Sequence, residues 1–267
     1  MSVKDEYVSF KIENNLKTNK FEDRVILQRF LKGRLENIWS EGRNFTNGGL
    51  FKNYMTRLAI GFAYYDCRPS PLCKVRCYGL PISGINDYSM LSLAVITSES
   101  LKTGDPRYLR PLSKKLRNLK YLKIGHWGDA VLEQIPVITK IAEANPMTTF
   151  WWYTRKLEIA RAANERSLPN LRAYLSLDPT TNYPSYQEYP YGITYLLGNL
   201  SRNEKHWDIL NDKRLVAIFP LKRGSSVEDP RDYNVESHSK LCEEKKFLAL
   251  GSKGHDMCFS CMGRCRY

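Results

Sequence analysis

Residues 121–155 have the sequence YLKIGHWGDAVLEQIPVITKIAEANPMTTFWWYTR, and their pattern predicts the fold most clearly. It begins with a short β-rich run, YLKIGH from Tyr121, and ends with another, TTFWWYTR from Thr148. The residues between them have helical composition, so the stretch predicts a strand, a helix and a second strand. A helix of this length between two strands is the crossover that parallel strands need, and we therefore expect a parallel sheet.

The same unit recurs along the chain. The β-rich runs begin at Leu122, Thr149, Leu171, Ile193 and Leu215, at spacings of 27, 22, 22 and 22 residues. A further strand is predicted over Leu58–Tyr64, which gives six. Helices are predicted over Phe21–Ile38, Tyr88–Leu101, Pro106–Leu119, Asp129–Ala144 and Arg155–Arg166.

These elements predict an α/β protein with three parts. Residues 1–57 form an N-terminal helical or capping segment, and residues 58–222 form a partial (β/α)6 TIM-like barrel. Residues 223–267 form a Cys-rich extension. In such sheets the ligand site lies at the carboxyl ends of the strands, so we expect function there.

Composition narrows the class of protein. With 267 residues, 42% hydrophobic and 26% charged, the chain has the make-up of an ordinary globular protein. It has no apolar run of the roughly 18 residues that a membrane span needs, and we expect no membrane partner. An excess of 41 Lys and Arg over 28 Asp and Glu, a net charge of +13, favours an anionic partner, either a small molecule or a nucleic acid.

The seven cysteines fall into two groups, three at 67–77 and four at 242–265. An odd number cannot pair completely within the chain, and the N-terminal MSVKDEYVSFK lacks the apolar core of a signal peptide. We therefore expect a reducing, cytoplasmic location. Clustered thiols in such a compartment indicate thiophilic metal sites rather than disulfides.

The two groups predict two different metal sites. Cys242, Cys258, Cys261 and Cys265 follow the pattern C-x15-C-x2-C-x3-C, and four thiolates complete the coordination of a structural zinc or an iron–sulfur cluster. Cys67, Cys73 and Cys77 follow C-x5-C-x3-C and supply only three ligands, which leaves a position open for substrate or cofactor. The alternative is that His126 closes the first site as a fourth zinc ligand.

Polar side chains follow the predicted strands. His126 and Asp129 follow the second strand, Arg155 the third, Asp178 the fourth and Asn199 the fifth. We expect His126, Asp129 and Arg155 to be catalytic. Capping of the next helix or turn formation would also explain Asp129 and Asp178.

The glycines around His126 and the aromatic run add two expectations. Gly125 and Gly128 bracket His126 and would admit a ligand close to the backbone. Trp151, Trp152 and Tyr153 are expected to belong to the barrel core rather than to form a stacking platform, and Arg155 is the more favourable residue for binding an anion.

In the order CRPSPLCKVRCYG, KIGHWGDAV, FWWYTRK and C…CFSCMGRC, these segments resemble a phage and plasmid protein family, the gene product eighty-eight family. The three-cysteine loop after a first strand also resembles that of the radical S-adenosylmethionine (radical SAM) enzymes. Their usual loop is C-x3-C-x2-C with an aromatic residue before the last cysteine. Here Arg76 holds that position and Tyr78 follows. Cluster ligation therefore carries over to the three cysteines, whereas contacts to methionine and adenosine do not.

The resemblance implies two [4Fe-4S] clusters, the first with an open iron that binds SAM and cleaves it reductively to a 5′-deoxyadenosyl radical. It also implies an external electron donor and, for a phage protein, the host cytoplasm. Cofactor binding would involve Tyr78, Asn199 and Asp178, and the barrel would exclude water and position the substrate.

Two other functions remain open. One is a non-catalytic zinc protein that binds nucleic acid, favoured by the net charge and by the 17 tyrosines. The other is a zinc hydrolase built on the first three cysteines and His126. It ranks last, because three thiolates make the metal a poor Lewis acid.

Overall fold

A computed structural model provides the fold and describes residues 1–41, 49–53, 57–77, 87–196, 209 and 211–219. The described α-helices are α1 (Val3–Glu13), α2 (Phe21–Lys32), α3 (Leu35–Ser40), α4 (Pro71–Arg76), α5 (Asp87–Thr103), α6 (Pro106–Leu116), α7 (Ile135–Glu143) and α8 (Leu157–Asn164). None of them is long and apolar enough to cross a bilayer. The predicted Cys-rich extension lies outside the described residues.

The strands form a single seven-stranded sheet whose spatial order is the order of the chain. They are β1 (Phe51–Asn53), β2 (Arg57–Ile60), β3 (Tyr121–Ile124), β4 (Thr149–Thr154), β5 (Leu171–Leu177), β6 (Ile193–Leu196) and β7 (Leu215–Phe219). Strands β2 to β7 are all parallel, which confirms the six predicted strands and the mixed α/β class. The short β1 pairs antiparallel with β2 and was not predicted.

The helix predicted over Phe21–Ile38 is divided into α2 and α3. Two other predicted elements are clearly shorter than expected, because their backbone groups bind elsewhere. The first parallel strand ends at Ile60, since the amide of Phe62 donates to the carbonyl of Trp127 and that of Ala63 to the side chain of Ser98. The helix predicted over Asp129–Ala144 begins only at Ile135, after a 3₁₀ turn at Leu132–Gln134.

The hydrophobic core lies on one face of the sheet, between the strands and the helices. Leu122, Ile124, Phe150 and Trp152 pack there in one cluster with residues of α5 to α8. Buried residues of the N-terminal helices, such as Leu27, belong to the same cluster. The N-terminal helices therefore share their core with the strands.

The opposite face of the sheet has a different composition. Successive side chains of a strand point to opposite sides, so the neighbours of the core residues lie on this second face. We call it the second face and define it by Lys123, Trp151, Tyr153, Arg172, Tyr174, Ser176 and Thr194. It is aromatic, basic and hydroxyl-bearing, whereas the core face is aliphatic and aromatic.

Candidate functional site

The three-cysteine loop begins at the carboxyl end of β2. A 3₁₀ turn at Tyr64–Asp66 leads to Cys67, and Ser70 then caps α4 by accepting a hydrogen bond from the amide of Cys73 at 3.1 Å. Cys77 follows the last residue of α4. Cys73 and Cys77 are four positions apart, a spacing that keeps two side chains on the same side of a helix.

None of the three cysteines is in a disulfide, all three are partly buried, and their thiols lie close enough to influence one another. Burial raises the pKa of Cys67, and the charges of Asp129, Cys73 and Cys77 raise it further. Burial also raises the pKa of Cys73, but the charge of Arg155 and a hydrogen bond from its guanidinium act in the opposite direction. The loop therefore gathers three sulfur donors at the end of the first parallel strand.

The three cysteine thiols are the type of ligand that a thiophilic metal prefers, and all three lie on the same loop. Within the described residues, however, no group of three or more His, Cys, Asp or Glu side chains is placed to hold a metal ion, and this includes any combination of the thiols with His126.

Asp178 connects the cysteine loop to the ends of β4 and β5. Its Oδ2 accepts hydrogen bonds from Ser70 Oγ and from the Arg155 guanidinium, both at 2.5 Å. Its Oδ1 accepts from the amide of Thr180 at 2.8 Å and from the Thr180 hydroxyl at 2.6 Å. Asp178 thus stabilises the turn that the following Pro179 predicts, and it also belongs to the site.

Asp129 is buried and fully engaged with neighbouring groups. The Thr154 hydroxyl lies 2.7 and 2.9 Å from its two oxygens, and the amides of Arg155 and Ala130 donate to it at 3.0 and 2.9 Å. Burial raises the pKa of this carboxyl, while the Thr154 hydrogen bonds and the charge of Lys156 act against that rise. Asp129 caps no helix, since α7 begins six residues later.

Lys156 is a buried lysine of the site, and the sequence pattern does not predict its role. It is 5% exposed, and its Nζ donates to the carbonyls of Asp66 and Ala130, each at 2.6 Å. Asp66 precedes Cys67, so Lys156 fixes the backbone on which the first thiol is carried. No sequence signal distinguishes it from other lysines, whereas the Ser70–Pro71 pair is a recognisable helix start that could have identified Ser70.

His126 lies on the loop after β3. This loop is hydrogen-bonded to the end of β2 and the loop that follows it. The amide of His126 donates to the carbonyl of Ile60 at 2.8 Å, and its ring lies 4.3 Å from that of Trp127. Burial, with the charge of Lys123, lowers the pKa of His126 to about 3. The imidazole is therefore neutral near pH 7, which suits binding rather than proton donation.

The two glycines beside His126 accommodate protein rather than a ligand. Gly128 has φ +66°, and a Cβ there would lie 2.3 Å from the carbonyl oxygen of Phe62. A Cβ on Gly125 would lie 3.3 Å from the Trp152 ring. The expectation that these glycines admit a ligand is therefore wrong, because neighbouring residues already occupy the space.

The structure brings together most of the predicted site residues that it describes. Cys67, Cys73, Asp129, Arg155 and Asp178 form one connected group. Trp152 lies in the core cluster, as predicted, whereas Trp151 is buried on the second face and Tyr153 is only partly buried. The other predicted residues, Tyr78, Asn199, Cys242, Cys258, Cys261 and Cys265, lie outside the described residues.

Comparison with known proteins gives one match. A family model with the description Gene product 88 covers residues 28–264. No curated protein and no solved structure matches the chain. The matched range includes the cysteine loop, the parallel strands and six of the seven cysteines, all except Cys265.

Proposed function

This chain belongs to the Gene product 88 family, and we propose that it is an iron–sulfur enzyme of the radical SAM type. Cys67, Cys73 and Cys77 would hold a [4Fe-4S] cluster with one open iron. The other four cysteines would hold a second cluster. The observation that carries the proposal is the gathering of three cysteines, none of them in a disulfide, beyond the carboxyl end of the first parallel strand.

The order of the strands supports a partial barrel. In a doubly wound sheet the strand order reverses, and helices cover both faces. Here β2 to β7 are adjacent in chain order, and the described helices pack against a single strand face. β–α–β connections that all have the same hand and always lead to the adjacent strand produce this strand order. A parallel sheet with this order can close into a barrel.

The chain's own residues have distinct tasks in this proposal. Lys156 and Ser70 hold the two halves of the cysteine loop, one through the carbonyl of Asp66 and the other through the amide of Cys73. Arg155 places a fixed positive charge beside Cys73. Buried cations near thiolates offset the negative charge that three of them concentrate.

When bound, the cluster and SAM would supply one-electron cleavage of a sulfonium bond and a radical able to abstract a substrate hydrogen. Asp129 and Asp178 cannot serve as freely exchanging bases, since every carboxylate oxygen already accepts hydrogen bonds. They hold the strand ends in position. Neutral His126 would contact a bound group without donating a proton to it.

Reciprocal cysteine variants test the proposal. Cys73→Ala should lose about four irons per chain and keep the remainder, and Cys258→Ala should show the converse, because each set would hold a separate cluster. Iron and sulfide are measured after anaerobic purification. Loss of all iron from either variant would contradict two independent sites, and two zincs without iron would favour the zinc protein instead.

A further inference from the structure

The second face of the sheet has the composition of a binding surface. Interiors of closed barrels are filled mainly by branched apolar side chains. Here the face opposite the helices presents Lys123 and Arg172 and, among the described strand residues of that face, no carboxylate. It therefore complements an anion.

The aromatic side chains of this face form a short ladder. Tyr153 and Tyr174 are cross-strand neighbours, with ring centroids 5.7 Å apart and planes 30° apart. The ammonium of Lys123 lies 5.8 Å from the Tyr153 ring. Aromatic side chains interleaved with cations are the combination that binds nucleobases together with their phosphates.

A buried hydroxyl on the same face supplies an independent observation. Thr194 lies between Ile193 and Tyr195, which both pack in the core, so its side chain points to the second face. It is 0% exposed, and its Oγ1 has no hydrogen-bond partner among the residues that the structure describes. A buried polar atom left without a partner is costly, and a ligand that bonds to it removes the cost.

From these observations we infer that the second face binds a nucleotide unit, an aromatic base carrying phosphate, as the substrate of the proposed enzyme. The base stacks on Tyr153, whose ring is partly exposed and packs against the buried ring of Tyr174. Lys123 and Arg172, which are also partly exposed, face the phosphate, and the Thr194 hydroxyl bonds to a polar edge. The inference rests on the proposed function, since the cysteine loop lies at the carboxyl edge of the same sheet. The unit comes either from a free nucleotide or from a single-stranded polymer.

The test measures binding by the anaerobically purified full chain. The probe is a fluorescein-labelled oligothymidylate of about 12 nucleotides, followed by anisotropy and competed with thymidine monophosphate. Lys123→Gln and Arg172→Gln should each weaken binding roughly tenfold and reduce its salt dependence. Tyr153→Leu should weaken it by a similar factor, whereas Tyr153→Phe keeps the ring and should bind like the wild type.

Matched controls come from α6, where Arg110→Gln and Lys114→Gln remove the same charge from exposed positions. If thymidine monophosphate competes at equal nucleotide concentration, the ligand is the free nucleotide. If it does not compete, the ligand is the polymer. The inference is overturned if neither probe binds, or if the α6 variants weaken binding as much as Lys123→Gln. Iron content is measured on the same samples, so a failure of binding is distinguished from a failure of cluster assembly.

Discussion

At the scale of single residues, Asp178 is the side chain that most directly connects the site. One carboxylate oxygen accepts from both Ser70 and Arg155, so it ties the cysteine loop to the end of β4. The Asp178 side chain is 0% exposed and that of Arg155 is 14% exposed. Breaking a buried pair leaves an uncompensated charge in a poorly solvated place.

Asp178→Asn should therefore lower the free energy of unfolding by about 3 kcal/mol. Urea unfolding at pH 7 measures this. The matched control is Glu36→Gln, which neutralises a carboxylate in the exposed ion pair with Arg107 and should leave the midpoint almost unchanged. Equal effects of the two substitutions would contradict a buried linking role for Asp178.

His126 gives a pH-dependent prediction. Its pKa in the folded protein is about 3, against an ordinary value of 6.5, so the unfolded chain binds more protons between these values. Stability is therefore lost as the pH falls below about 6.5, by about 2 kcal/mol between pH 6.5 and pH 5 from this residue. His126→Gln should lack this part of the slope, and parallel stability–pH curves for the two proteins would contradict the burial of a neutral imidazole.

The residues of the site differ in how far the sequence could predict them. The cysteines, Asp129, Arg155 and Asp178 were predictable, because they follow strands or share a recognisable spacing. Lys156 and Thr154 were not, because their importance comes from carbonyl and carboxylate groups that only the folded chain brings to them. Buried hydrogen-bond partners distant in sequence leave no local pattern.

At the scale of elements, the loops after β2 and β3 form a single bonded layer. The carbonyl of Trp127 accepts from the amide of Phe62, and the carbonyl of Ile60 accepts from the amide of His126. This contact is close enough to require glycine at position 128. The layer supports the start of the cysteine loop.

Gly128→Ala should cost about 3 kcal/mol, from a positive φ and from a Cβ 2.3 Å from the Phe62 carbonyl. Gly104→Ala is the matched control, since φ is +74° there but the nearest atom to the added Cβ is 4.0 Å away. It should cost only about 1 kcal/mol, the backbone part alone. Equal shifts of the two urea midpoints would contradict the close contact between the loops.

Strand positions were predicted better than strand and helix ends. The 22-residue repeat places four starts within one residue of those observed, because a buried strand needs a run of apolar and aromatic residues. The end of β2 was not predictable, since Phe62 and Ala63 are as apolar as a strand requires. Their amides bind Trp127 and Ser98, which are distant in sequence.

At the level of the whole molecule, the two faces of the sheet differ in composition and in what they contact. One face packs against helix-borne core residues, and the N-terminal helices join the same core cluster by packing on α5. The other presents cations and aromatic rings, and the thiols lie at the carboxyl edge between them. The net charge of +13 by itself indicates only an anionic partner, and Lys123 and Arg172 are two of the 41 basic residues that contribute to it.

In the proposed function, Cys67, Cys73 and Cys77 hold an iron–sulfur cluster with an open iron. The most direct measurement is electron paramagnetic resonance of the anaerobically purified, reduced protein, with iron, sulfide and zinc content determined on the same sample. We predict about eight irons per chain and a spectrum that changes when SAM is added. A colourless protein that contains zinc and no iron would contradict the claim.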